Sequence, residues 1–226
     1  MQKATPTVEE LLEEIHRLQE RSGAARTKTL GRRLNVKLGT VTNNLSRLQL
    51  RGLVKRERYR GARLTAEGRR IAMDVLRRHR LLERLLTDML RVGWSRSHSA
   101  ACKLEHYIDG DLADAIEAVV GHPKTCPHGN AIPNKSGKIL GQPSMRLTEL
   151  SPGDHGAVIR VLDEEEQGAL EYLESIGMVT GSKFKVEEHV PFDGSVVVTL
   201  GDSKLVISKD AASLVVVKRS RVKADA

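Results

Sequence analysis

The chain has 226 residues, 39% of them apolar and only 3% aromatic, enough for two or three folding units whose cores rest on Leu, Ile and Val. No run nears the ~18–20 consecutive apolar residues of a membrane span, and no signal-like apolar segment follows the N-terminus; the reading is a cytoplasmic protein, with collagen-like, mucin-like and wholly disordered chains excluded. The net charge of +8 is uneven, because residues 1–80 carry 20 Lys and Arg against 8 Asp and Glu while residues 81–226 carry 17 against 21, and a basic first third is an electrostatic footprint for nucleic acid.

Val8, Leu11, Leu12, Ile15 and Leu18 recur at helical spacing, and Thr7 with Glu10 three residues on forms a capping box, which predicts a first helix over 7–21. A short helix over 29–34, a turn through 35–39 and a third helix over 40–51, with Val41, Leu45 and Leu48 inward, make a helix-turn-helix. Gly52 ends it, and two short strands flanking Tyr59-Arg60 read as a basic hairpin, the wing of a winged helix. The third helix offers Lys37, Gly39, Thr40, Thr42, Asn43 and Arg47 to a DNA major groove. The Asn43 amide can pair bidentately with adenine, whereas Thr40, Thr42, Arg47 and the wing's Arg60 suit phosphates, which set register without reading sequence.

Thr65 can cap a long helix carrying Ile71, Val75, Leu81, Leu82, Leu85, Leu86 and Met89, followed by helices over 95–107 and 111–120. Their apolar content exceeds what three small helices bury internally, so a homodimer surface is expected. Residues 121–144, rich in Gly, Pro, Asn, Lys and Ser, read as an extended connection. Five short strands, 157–162, 183–186, 195–200, 204–207 and 214–217, with one helical turn over 169–176, suit a small closed barrel.

Residues able to bind metal gather in the middle of the chain. His79 and Glu83 are i and i+4; His98, Cys102, Glu105 and His106 fall at i, i+4, i+7 and i+8, one stripe of one helix. Thiolate, imidazole and carboxylate together can hold a divalent first-row transition metal, and burying so many polar groups on one stripe is costly without a shared partner. Taken alone, His79 with Glu83 would be a surface hydrogen-bonded pair and Cys102 a small buried hydrophobe. His122, Cys126 and His128 form a second candidate, since Cys-x-His in a loop can bind zinc, but with no second ligand pair at metal spacing the plain-loop reading ranks first.

The run from His79 to Asp88, the motif His98-x-x-x-Cys102-x-x-Glu105-His106 and the segment Cys126-Pro127-His128-Gly129-Asn130-x-Ile132-Pro133 resemble the diphtheria toxin repressor and iron-dependent regulator family over essentially the whole chain. The resemblance implies an α+β multidomain chain: a winged helix-turn-helix over 1–73, a helical metal-binding and dimerisation domain over 74–140, and an SH3-like small β-barrel over 145–222, of the kind seen in ferrous-iron transport accessory proteins. It implies a metal-dependent repressor of metal-uptake genes rather than an enzyme, a homodimer bound as one or two dimers at a palindromic operator in double-stranded DNA.

Two metal sites per subunit come with the resemblance. His79, Glu83 and His98 look like the ancillary site, with Glu166 or Gln167 as ligands from the barrel. Glu10, Cys102, Glu105 and His106 look like the activating site, Glu10 standing where iron regulators of the family commonly carry methionine. Glu10 also closes the capping box, so two roles compete for one carboxylate. Asn43 stands where the family has glutamine. The Cys102 thiolate favours iron(II) first, with manganese(II) second and zinc, cobalt or nickel as substitutes in vitro. The alternatives are a winged-helix regulator whose metal is only structural, a manganese-specific regulator, and a metalloenzyme whose open site activates water; no nucleophile–base pair or cofactor loop supports the last.

Overall fold

The computed structural model describes residues 4–57, 61–139, 141, 143–162 and 168–220. Two compact units emerge: one comprises Met1–His79, Leu104–Ala113 and Pro133–Ile139, the other Arg80–Lys103, Asp114–Ile132 and Leu140–Ala226.

In the first unit, α1 (Pro6–Ser22) starts with Pro6, whose missing N–H is harmless in a first turn. It stops at Gly23, which adopts φ +77° and donates its N–H to the Gln19 carbonyl. The cap residue is Thr5 and no side chain caps the helix. The expected Thr7–Glu10 box is therefore not formed; Thr7 already lies inside the helix. The short α2 (Thr27–Arg33) and α3 (Leu38–Leu50) follow, separated by a turn in which Asn35 takes φ +51°. Leu11, Leu12, Ile15 and Leu18 of α1 share one core with Leu30, Val41, Leu45 and Leu48. The wing strands β1 (Val54–Glu57) and β2 (Gly61–Leu64) pair antiparallel with Val54 opposite Leu64, and Ala25 bridges Ala62 to fasten them beside α2. α4 (Ala66–Arg84) begins where the Thr65 hydroxyl accepts from the Gly68 N–H at 3.2 Å, the expected cap.

In the second unit, the chain leaves α4 through a wide helical turn at Leu85–Met89. α5 (Trp94–Leu104) and α6 (Gly110–Val119) each contribute to both units. α5 ends earlier than its sequence pattern suggests. Glu105 and His106 consequently sit in the turn after it, not on its helical stripe.

The C-terminal part carries β3 (His155–Val161), α7 (Ala169–Ser175), β4 (Lys183–His189), β5 (Val196–Leu200), β6 (Ser203–Ile207), α8 (Lys209–Leu214) and β7 (Val215–Ser220). The strands run antiparallel in the order β6-β5-β4-β3-β7. Alternate residues Phe184 and Val186, Val196 and Val198, and Val215 and Val217 face a core completed by Leu170, Leu173 and Met178. Among the described residues the ladders follow this order, with none between the outer strands β6 and β7.

Residues 121–132 are not an extended connection. Cys126 N–H donates to the Asn130 carbonyl at 2.8 Å and Gly129 N–H to the Cys126 carbonyl at 3.0 Å, which folds a tight, buried turn. Val161 N–H donates to the His128 carbonyl and Asn130 Nδ2 to the Val161 carbonyl, both at 2.9 Å, docking the turn on β3. Backbone groups buried in a loop need such partners.

Candidate metal centres and nucleic-acid interface

Helix α1 is buried on two sides. Its leucines face the winged-helix core, while Glu9 and Glu13, one turn apart, are buried on another face. Glu13, His79 and Glu105 each bring a ligand atom to a common point, all within 4.8 Å of one another. His79 Nδ1 lies 2.5 Å from Glu105 Oε2, and Arg17 donates to Glu13 at 2.8 Å. Beside this trio, His106 Nδ1 is 2.9 Å from Glu9 Oε2. Arg78 donates to Glu9 Oε1 at 2.9 Å and to the carbonyls of Glu105 and Ile108 at 2.7 and 3.1 Å.

The electrostatics follow from this packing. Burial pushes the Glu9 carboxyl up, but hydrogen bonds from His106 and Arg78 outweigh it and hold it below its ordinary range. The same pair raises His106: its hydrogen bond to Glu9 outweighs burial, and the charges of Glu105, Glu9 and Glu13 add to the effect. Burial pushes the Glu13 carboxyl up, but the charges of Arg17 and His79 and the hydrogen bond from Arg17 outweigh it and hold it low.

The second unit holds another buried cluster. Glu83, Cys126 and His128 present ligand atoms within 4.8 Å of one another. Glu83 Oε1 is 3.0 Å from His98 Nδ1 and 3.1 Å from His128 Nδ1. Cys102 Sγ lies 3.6 Å from His98 Nε2, and Cys126 Sγ 3.9 Å from His128 Nδ1. Both clusters combine buried carboxylate with imidazole, and the second adds thiol. Such donor sets fit a divalent transition metal, whose charge lets acids share a buried space.

Against the sequence-derived sets, His79 falls in the first cluster, and Glu83 and His98 fall in the second. Glu166 and Gln167 lie outside the described residues. Glu105 and His106 join the first cluster, and Cys102 stands beside His98. Glu10 departs from expectation: it is exposed, and Glu9 and Glu13 are the α1 carboxylates that meet Glu105, His106 and His79. Sequence reasoning missed Glu9, Glu13 and Arg78, and it set Cys126 and His128 aside as loop residues. The available signals were the i, i+4, i+7 run Glu9, Glu13, His16 next to an apolar stripe, and a Cys-Pro-His-Gly turn.

On α3, Val41, Leu45 and Leu48 are buried, which leaves Lys37, Gly39, Thr40, Asn43 and Arg47 exposed and Thr42 partly so. Arg56 of β1 donates to Ser46 Oγ at 3.1 Å, joining wing and helix into one basic surface. Arg60 lies outside the described residues.

Three families match in chain order. Residues 3–62 match the iron dependent repressor N-terminal DNA binding domain, 65–134 the iron dependent repressor metal binding and dimerisation domain, and 145–219 the FeoA domain. The chain is similar to the iron-dependent repressor IdeR of Mycobacterium tuberculosis (strain ATCC 25618 / H37Rv), 32% identical over 97% of this chain and 100% of the relative. Among solved structures it is similar to a manganese-dependent transcriptional repressor in complex with manganese, with 31% identity, a TM-score of 0.82, and 93% and 98% of the two chains covered. It is also similar to IdeR of T. acidophilum, with 27% identity, a TM-score of 0.79, and 97% and 100% covered.

Proposed function

The chain belongs to the iron-dependent repressor family and is a metal-dependent, DNA-binding repressor of transcription rather than an enzyme, and we propose that iron(II) is its corepressor at metal-uptake genes. The observation that carries this reading is the meeting of Glu13, on α1, with His79 and Glu105. A divalent ion held there supplies the positive charge that lets the carboxylates of Glu9, Glu13 and Glu105 share one buried space.

The chain's own residues turn that charge into a response. Glu13 and Glu9 anchor α1, and α1 shares its core with α3 through Leu12, Ile15, Val41 and Leu45. Restraining α1 therefore restrains the helix that presents Asn43, Thr40 and Arg47. In a homodimer, this favours one separation of two recognition helices, the one matching a palindromic operator. Coupling of this kind is worth ~1–3 kcal/mol, and DNA tightens metal binding by the same factor.

Glu83, His98, Cys102, Cys126 and His128 form the second site of this reading, and their thiols favour iron over manganese. Manganese(II) is the second reading, favoured by the thiol-free oxygen-rich set of Glu13, His79 and Glu105. The functional parts are taken as 1–73 for DNA, 74–140 for metal and dimerisation and 145–222 for the FeoA-like barrel, in a cytoplasmic protein.

Operator affinity measured anaerobically with iron(II), manganese(II), zinc, cobalt, nickel and a chelator tests the proposal. Iron(II) should tighten binding about 5–150-fold over chelator. Equal affinities with and without metal would remove the switch, and a response confined to manganese would reassign the corepressor.

A further inference from the structure

Glu174 sits on α7 of the C-terminal sheet domain, yet its carboxylate ends at the N-terminus of α5. It accepts from the backbone N–H of Trp94 at 2.9 Å and of Ser95 at 3.4 Å, and the Ser95 hydroxyl also donates to it. An acid at that position satisfies N–H groups a helix cannot pair internally and complements the positive end of the helix dipole. The first turn of α5 is thereby fixed from outside the helix.

That turn touches the second metal cluster through Trp94. Trp94 Nε1 donates to the Pro127 carbonyl at 2.9 Å, and the indole stands edge-on to the His128 ring with centroids 4.6 Å apart. The Trp94 carbonyl lies 3.0 Å from His128 Nε2. A carbonyl oxygen only accepts, so Nε2 carries a proton, and Nδ1 is the nitrogen turned to Glu83 and Cys126. A ring nitrogen donating to a backbone carbonyl is how proteins set the tautomer and orientation of a metal-binding histidine.

Building on the reading of Glu83, Cys126 and His128 as a metal site, we propose that Glu174 is a positioning residue for it. By holding the first turn of α5 it holds the Trp94 carbonyl, and through that carbonyl it keeps a His128 proton on Nε2 and Nδ1 turned toward Glu83 and Cys126. The C-terminal domain thus sets metal affinity through Glu174 without Glu174 being a ligand.

The test uses the full-length protein and two readouts: cobalt(II) titration followed by the fluorescence of Trp94, the chain's single tryptophan, and the ring ¹⁵N shifts of His128 in chelator. Glu174→Ala should weaken cobalt binding about 10–100-fold and convert His128 from one tautomer to a mixture. Glu174→Gln keeps an acceptor oxygen and should recover most of both. Ser95→Ala, which leaves the domain core untouched, should shift both in the same direction by less. Wild-type affinity in Glu174→Ala overturns the proposal, as does weakened binding with the His128 tautomer unchanged, which would mean general loosening. His128→Ala separates the two layers: if it abolishes the fluorescence response while Glu174→Ala does not, only the positioning role falls, and if it too leaves binding intact, the metal site falls as well.

Discussion

Arg78 Nη2 donates to Glu9 Oε1 at 2.9 Å, with both side chains buried. The same guanidinium also takes the carbonyls of Glu105 and Ile108. One residue of α4 thereby ties α1 to the turn after α5. Arg78→Met removes the cation and leaves the Glu9 charge and two carbonyls to be satisfied elsewhere. Breaking one side of a buried pair typically costs about 3–5 kcal/mol. Urea unfolding in chelator should show a loss of that order, and a loss below about 1 kcal/mol would mean the pair is not a structural tie.

The Glu9–His106 pair makes the metal-free protein pH-dependent in a defined direction. His106 titrates above its ordinary 6.5, so its contribution to stability is complete below that value and is lost as pH rises through the raised one. Glu9 titrates below its ordinary 4.5, so its contribution is complete above that value and is lost as pH falls through the lowered one. Both are intact between about pH 4.5 and 6.5. Urea midpoints in chelator should therefore decline above pH 6.5, and His106→Gln should flatten the decline. Parallel profiles for the two proteins would exclude the pair as its source. Metal affinity should climb over the same alkaline interval, because ligation needs the unprotonated imidazole.

Helix α1 separates two acids that sequence pattern ranks the other way. Glu13→Gln removes a charged oxygen from the group with His79 and Glu105 and should lower metal affinity at least tenfold, taking the operator response with it. Glu10 is exposed, and Glu10→Gln should leave both within twofold. Calorimetric metal titration of the two variants decides the matter, and a loss in Glu10→Gln with none in Glu13→Gln would restore Glu10 as the ligand.

The reasons for that reversal are physical. Helix α3 was legible because Val41, Leu45 and Leu48 mark a single buried stripe, and the opposite face follows by elimination. On α1 the same logic identifies Leu11, Leu12, Ile15 and Leu18 but is silent about a second buried face made of acids, whose burial depends on Arg78 and His106, far off in sequence. The end of α5 was misplaced for a related reason: Arg78 accommodates the Glu105 carbonyl where the helix stops, and no local residue announces it. The Cys126–Asn130 turn looks like any polar loop until β3 arrives some thirty residues later to bind His128 and Asn130.

DNA reading and DNA affinity should come apart on α3. Asn43→Ala should flatten preference at one or two base positions, at about 1–3 kcal/mol of discrimination. Lys37→Ala should weaken all sequences alike and reduce the dependence of binding on salt. Competition binding with operator variants at two salt concentrations distinguishes them. A uniform loss in Asn43→Ala would make it a phosphate contact instead.

Gly129 lets the turn that carries Cys126 and His128 lie close against β3. It adopts φ +86°, and a Cβ there would stand 2.0 Å from the Ile159 carbonyl oxygen, closer than real Cβ atoms approach. Relief requires the turn to lift from β3, which would break the Val161–His128 and Asn130–Val161 hydrogen bonds together. Gly129→Ala should therefore carry Cys126 and His128 away from Glu83. Its effect should be seen in cobalt binding reported by Trp94 fluorescence, while Glu13, His79 and Glu105, which lie in the other unit, keep their metal affinity. If Gly129→Ala left the fluorescence response unchanged, the buried turn would not be what brings Cys126 and His128 to Glu83.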